Sequence, residues 1–280
     1  MLFFLLCMHS FFQKNVVILE GKNQANLKPT FSMKVFVCIS HVPDTTSKIN
    51  FTENASEFDK TGVQFVINPY DEFALARAMW LKEKQGASIT VISVGDASVE
   101  SSLRKSLAIG ADDAIRIDAE PTDGLFVAQQ LAAVLKEHAC DLILTGRESI
   151  DYNGAMVPGM LATLLDWNFV NACVGLEIEN QTATALKEID GGTETLSATL
   201  PLVVAGQKGM VEEKDLRIPN MRGIMMARKK PLTVLAPIAI ESSTHANRFE
   251  KPAAKSACKL VDASDVDGLI ALLHKEAKVI

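Results

Sequence analysis

The chain has 280 residues, room for one large domain or a domain plus an arm. Hydrophobic residues at 48% and charged residues at 22% exclude wholesale disorder, a collagen-like chain and a coiled coil. With 28 Lys+Arg against 34 Asp+Glu, the net charge of -6 gives no global attraction to nucleic acid or an anionic membrane.

Residues 1–12, MLFFLLCMHSFF, are apolar but too short to span a bilayer. They lack the basic n-region and small-residue cleavage site of a signal peptide, and the arginines of a transit peptide. Polar, aperiodic sequence follows to Ser32, and then Met33 leads straight into an apolar run. The biological start is therefore expected at Met33, with residues 1–32 a non-native or disordered extension.

From Met33 strands and helices are expected to alternate. Residues 34–40, KVFVCIS, predict a buried strand, and residues 63–67, VQFVI, a second short one. Asn68-Pro69-Tyr70-Asp71 then opens a helix over 71–84. Pro69 suits its start, Asp71 and Glu72 complement the dipole, and Gly86 ends it. A strand at 88–94 is followed by a helix carrying Val99, Leu103 and Leu107 and stopping at Gly110. A strand at 114–117, a helix at 125–138 capped by Thr122 or Asp123, a strand at 141–146 and a helix near 156–165 complete the rhythm. Short β-α connections of this kind predict an α/β fold with a doubly wound, mostly parallel sheet.

After Asn168 the pattern changes to strands at 172–179, 183–189, 194–199 and 201–205, with Asp190-Gly191-Gly192 as a hairpin turn. Residues 207–231 read as irregular and basic. The α/β domain is expected to span 33–231, and the Pro-containing stretch 232–280 to be an arm that packs on something else, ending in a short helix near 263–277.

Ligands of open α/β sheets bind beyond the carboxyl ends of the strands, near helix N-termini that favour anions. Four loops qualify: 40–45, 68–71, 94–98 and 146–156. Neither GxGxxG after the first strand nor a Walker A motif is present, which disfavours a dinucleotide Rossmann site and a P-loop ATPase. A nucleotide phosphate suits these loops. Turn and cap chemistry alone accounts equally for Asn68-Pro69 and Gly146. The five cysteines and five histidines are scattered, with no CxxC or HExxH, so neither a disulfide framework nor a metal site is expected. Cys38 reads as a small core residue, Asp112-Asp113 as a solvated turn. Met210, in a Gly-flanked loop, is either core packing or an exposed, adaptable apolar contact.

Six segments in order resemble the beta subunit of electron transfer flavoprotein: VPD at 42–44, NPYDEFAL at 68–75, LRKSLAIGADDA at 103–114, DLILTGRESID at 141–151, KEIDGGTETL at 187–196 followed by PLVVA, and IMMARKKPL at 224–232. The resemblance covers residues 33–280. It implies a heterodimer with an alpha subunit embraced by the arm, FAD held mainly by alpha, and an AMP buried in this chain. The carry-over places the AMP against Cys38, Asn68, Pro69, Tyr70, Asp71, Val94 and the loop Gly146, Arg147, Glu148, Ser149, Ile150, Asp151, Tyr152, Asn153, Gly154, Ala155, Met156 and Val157.

The resemblance further implies an electron carrier rather than an enzyme, drawing electrons from acyl-CoA dehydrogenases and other flavin dehydrogenases in fatty acid β-oxidation. A membrane quinone oxidoreductase receives them. The implied compartment is the bacterial cytoplasm, or the mitochondrial matrix in a eukaryote. The docking loop falls near 206–217, with Met210 as its expected apolar anchor. Three departures stand out: the longer loop at 206–223, Thr45 where many respiratory members carry Tyr, and Tyr152-Asn153-Gly154-Ala155-Met156 in place of a more acidic stretch. VPDT at 42–45 also occurs in flavin-bifurcating relatives, which hold a second FAD where AMP sits. A nucleotide-binding hydrolase or regulator on a similar sheet is the alternative from another class.

Overall fold

The computed structural model describes residues 32–255 and 257–280. The expected extension at 1–32 lies, apart from Ser32, outside the described residues.

The strands are β1 (Lys34–Cys38), β2 (His41–Pro43), β3 (Phe65–Ile67), β4 (Ser88–Val94), β5 (Asp113–Ile117), β6 (Leu142–Gly146), β7 (Asn168–Glu179), β8 (Thr182–Ile189), β9 (Gly192–Thr199), β10 (Leu202–Gly206) and β11 (Leu232–Leu235). The α-helices are α1 (Pro69–Gln85), α2 (Glu100–Ile109), α3 (Gly124–Glu137), α4 (Val157–Leu165), α5 (Met221–Ala227) and α6 (Val266–Leu272). Nine strands make one sheet in the order β11-β5-β4-β1-β6-β10-β7-β8-β9. It is parallel from β11 to β7 and antiparallel across β7-β8-β9. Among the described residues no helix is long and apolar enough to cross a membrane.

Alternation along each central strand sorts its side chains to the two faces. Val35, Val37, Val91, Leu142, Leu144 and Val204 join a core with Leu75 and Met79 of α1 and Leu103 and Leu107 of α2. Phe36, Ile92, Ile143 and Val203 point the other way, against Leu131 and Leu135 of α3 and Leu161 of α4. Apolar residues on both faces of β1, β4, β6 and β10 are what a sheet covered by helices on two sides requires.

Local signals account for most boundaries. Asn68 caps α1 in position, Pro69 occupies its first turn, and Gly86 closes it in the left-handed region at φ 71°. The cap of α3 is Asp123, whose carboxylate accepts the Phe126 amide. In the β8-β9 hairpin Ile189 pairs with Gly192, so the turn is Asp190-Gly191, with Gly191 at φ 83°.

Four expectations need correction. The strand expected at 172–179 begins at Asn168: its first residues pair in parallel with β10, and beyond an irregularity near Ala172 it turns antiparallel to β8. The short strand before α1 leaves the main sheet and pairs with β2 in a separate antiparallel ribbon. Residues 207–231 are not wholly irregular but include α5, which packs on α2. Residues 232–235 are not arm: they form β11 and pair with β5 at the sheet edge. A four-residue strand carries too little periodicity to be read without its partner.

Leu144 is fully buried at the centre of β6. Leu144→Ala is expected to cost about 2–5 kcal/mol of stability, read as a lowered urea midpoint with an unchanged slope.

Candidate functional site

A cavity of about 880 Å³ opens at the carboxyl ends of β1, β4 and β6. Cys38, Ile92, Val94 and Thr145 lie at its base. Around them stand Ser40–Val42, Gly95, Asp96, Ser98, residues 120–125, and the run from Gly146 toward Met160. All four loops expected from sheet topology border it.

One buried carboxylate ties this rim together. Asp71, 3% exposed in the first turn of α1, accepts the Ser40 amide at 2.7 Å through Oδ2 and the Gly146 amide at 2.8 Å through Oδ1. It thus links the ends of β1 and β6. Gly146 is needed here, since an added Cβ would lie 2.3 Å from Asp71 Oδ1 and 2.7 Å from Tyr70 Cβ. Beside it Asn68, fully buried, donates from Nδ2 to the Glu148 carbonyl at 2.9 Å and accepts the Ile150 amide at 3.2 Å. Asn68 and Asp71 together set the course of the 146–150 backbone. Burial pushes the Asp71 carboxyl up to about 7, against hydrogen bonds from Ser40, Asn68 and Gly146 that pull it down.

The loop next turns back, Asn153 and Ala155 both adopting φ 49°. It delivers the chain into α4, whose first residue has no side-chain cap. Val157 and Pro158 at this helix start line the cavity. Uncapped first-turn amides and the positive end of the helix dipole suit an anion there. The start of α3 also faces the cavity, but Asp123 already accepts its Phe126 amide.

Of the residues expected at the site, Cys38, Asp71, Val94, Gly146, Glu148, Ser149, Asp151, Tyr152, Gly154, Ala155, Met156 and Val157 line the cavity. Asn68, Pro69, Tyr70, Arg147, Ile150 and Asn153 do not. Asn68 shapes the loop from beneath it and Pro69 begins α1. Arg147 is engaged elsewhere: its guanidinium donates to Glu148 Oε1 at 2.8 Å and Gln207 Oε1 at 3.2 Å, and sits 5.9 Å from the Tyr70 ring centroid. It is therefore no clamp for a ligand in the cavity.

Met210 is the clearest correction. It is 4% exposed, and its sulfur occupies the space beside Gly206, 2.7 Å from where a Cβ on that glycine would lie. A side chain so packed cannot anchor a partner.

Three contributors were not singled out in the sequence, although the first lies within the 40–45 loop. His41 stacks on Phe65 with ring centroids 4.8 Å apart and its Nδ1 lies 2.9 Å from Ser102 Oγ; burial lowers its pKa. Residues 120–125 form a wall. Residues 243–246 reach the cavity from far along the chain. Only the Asp123 cap signal pointed toward the second of these, and nothing local marks the third.

The lining suits the binding of a ligand. Burial pushes the Cys38 thiol far up, away from nucleophilic thiolate. Among the described residues no cluster of three or more His, Cys, Asp or Glu could hold a metal ion. Three of the lining carboxylates are engaged internally. Asp96 accepts the Ser98 amide, Glu148 pairs with Arg147, and Glu120 lies 3.5 Å from Lys60.

The family model described as "Electron transfer flavoprotein domain" matches residues 57–240. The chain is 36% identical over 262 residues to the electron transfer flavoprotein subunit beta of Bacillus subtilis (strain 168), covering 89% of this chain and 100% of that one. It is 32% identical over 254 residues to the subunit of the same name from Bradyrhizobium diazoefficiens, covering 89% and 100%. Against the Homo sapiens subunit it is 32% identical over 211 residues, covering 73% and 82%.

Two outcomes are expected from the rim geometry. Because the folded-state value of Asp71 lies above its ordinary 3.8, the native state holds a proton that the unfolded chain has released between about pH 4 and pH 7. Asp71 should therefore make stability fall as pH rises through that window and level off above it. Urea titrations at several pH values should show this slope in the wild type and its loss in Asp71→Asn. Asn68→Ala, which strands the Glu148 carbonyl and the Ile150 amide, should cost about 1–3 kcal/mol and raise hydrogen exchange at residue 150.

Proposed function

Because the chain belongs to the electron transfer flavoprotein family as a beta subunit, we propose that it pairs with an alpha subunit and binds AMP in the rim cavity. FAD is then held mainly by the alpha subunit, with this chain beside the flavin. Bound FAD supplies the redox chemistry; this chain supplies position and electrostatics. The heterodimer draws electrons from acyl-CoA and other flavin dehydrogenases and passes them to a membrane quinone oxidoreductase. It does so in the bacterial cytoplasm, or in the mitochondrial matrix of a eukaryote. The last part of the chain, beyond Lys251, packs on the alpha subunit.

The observation that supports this reading is the cavity, with its apolar base and the uncapped start of α4 on its rim. Cys38, Ile92 and Val94 suit an adenine ring. The uncapped start of α4 and the turn before it suit a phosphate. Among the described residues no arginine lines the cavity; Lys60, beside Glu120, and the backbone dipoles of the rim face an anion there. Such dipoles are fixed by Asn68 and Asp71 before the ligand arrives.

A second reading puts FAD where AMP would sit, as in flavin-bifurcating relatives. The size of the cavity keeps it in play: about 880 Å³ is toward the upper end of small-molecule sites, which run from about 300 to 1,000 Å³.

Co-purification with the alpha partner, followed by mass identification of the released nucleotides, tests the proposal. One FAD and one AMP per heterodimer is the expected result. Two FAD would select the second reading. No adenine nucleotide beyond a single FAD would overturn the site.

A further inference from the structure

The outer wall of the cavity is foreign to the α/β domain. Ser243, Thr244, His245 and Ala246 supply it, from the stretch that follows β11. That stretch is fastened at three places. Behind the wall, Gln130 of α3, 1% exposed, grips Ile238 from both sides: Nε2 donates to its carbonyl and Oε1 accepts its amide, each at 2.9 Å. At the wall itself, Asp123 Oδ2 accepts the amides of Ser243 at 2.6 Å and Thr244 at 2.8 Å. Ahead of it, Phe249 stacks on Phe51 with ring centroids 5.2 Å apart and donates its amide to the Ala55 carbonyl at 2.8 Å. Lys251 Nζ then donates to Asn50 Oδ1 at 2.8 Å.

A segment tied down at both ends and pinned at its centre by one carboxylate is a strap. The pin is also built into the site. Asp123 Oδ1 caps α3 through the Phe126 amide at 2.7 Å, while Oδ2 is left for the strap. One side chain therefore couples a helix start at the cavity to the segment that crosses its mouth.

We propose that residues 243–246 are a strap over the nucleotide cavity, latched by Asp123, which retains the bound adenylate and sets its rate of release. The proposal rests on the reading of the cavity as an adenylate site. Asp123 is a positioning residue in this scheme, acting on the ligand through the strap. The latch can open: it consists of two hydrogen bonds at an exposed segment, and bonds to a charged acceptor are each worth about tenfold to somewhat over a hundredfold in an equilibrium. Opening it leaves the sheet, the rim and the Asp71 bridge intact.

Two variants separate the latch from the fold. Asp123→Asn keeps an oxygen for the α3 cap, since Asn caps as well as Asp. Its amide NH2, however, turns donors toward the Ser243 and Thr244 amides and cannot accept from them. Phe249→Ala loosens the strap at the front anchor, on a residue that does not line the cavity. The measurement is release of radiolabelled AMP from the intact heterodimer into excess unlabelled AMP, with FAD content and the thermal midpoint followed in parallel. Both variants should release AMP about tenfold faster than the wild type, with FAD content unchanged. Wild-type release rates in both variants would overturn the strap while leaving the adenylate site standing. A wild-type heterodimer that neither carries nor takes up AMP would overturn both.

Discussion

The rim of this protein depends on a carboxylate that has been taken out of water. Asp71 sits where α1 begins and accepts one amide from the end of β1 and one from the end of β6. Adjacent parallel strands diverge in their loops, and their terminal amides would otherwise lack partners beneath a cavity. The bridge satisfies both and fixes the distance between the two loops. It works only because Gly146 has no side chain to collide with it. Burial opposes ionisation of the group and the amides favour it, so the carboxyl is left poised near neutrality rather than in the ordinary acid range.

What surrounds that bridge suits the holding of a ligand. The cysteine at the base of the site is half-buried with its thiol pushed up, and the arginine of the rim loop is committed to Glu148 and Gln207. The polar work is assigned to the backbone, and the side chains Asn68, Asp71 and Asp123 hold that backbone in place. Membership in the electron transfer flavoprotein family accords with this division of labour, since in such proteins a flavin performs the redox step.

Much of this was legible in the sequence because the signals were local. Apolar runs such as Leu142–Leu144 marked strands covered on two faces, and Asn68-Pro69 and Gly86 bounded α1. The four loops of the rim followed from topology alone. What was hidden depended on contacts between distant segments. Met210 lies in a Gly-flanked loop whose sequence leaves core packing and exposure open, and the missing side chain of Gly206 makes the space that takes it inside. β11 exists because β5 offers an open edge, and the wall at 243–246 exists because Asp123, 120 positions earlier, has an oxygen to spare. Arg147 belongs to the loop that the resemblance places against AMP, yet its guanidinium is claimed by Glu148 and Gln207.

The sheet order carries a consequence for synthesis. β10 lies between β6 and β7, though β7, β8 and β9 all precede it in the chain. As residues leave the ribosome in sequence, the meander of β7, β8 and β9 is complete while the slot beside β6 still stands empty. Until Leu202–Gly206 emerges to fill it, two apolar strand borders face each other unsealed. That interval is when a nascent chain of this kind is most exposed to pairing with the wrong neighbour, and when a chaperone has the most to cover.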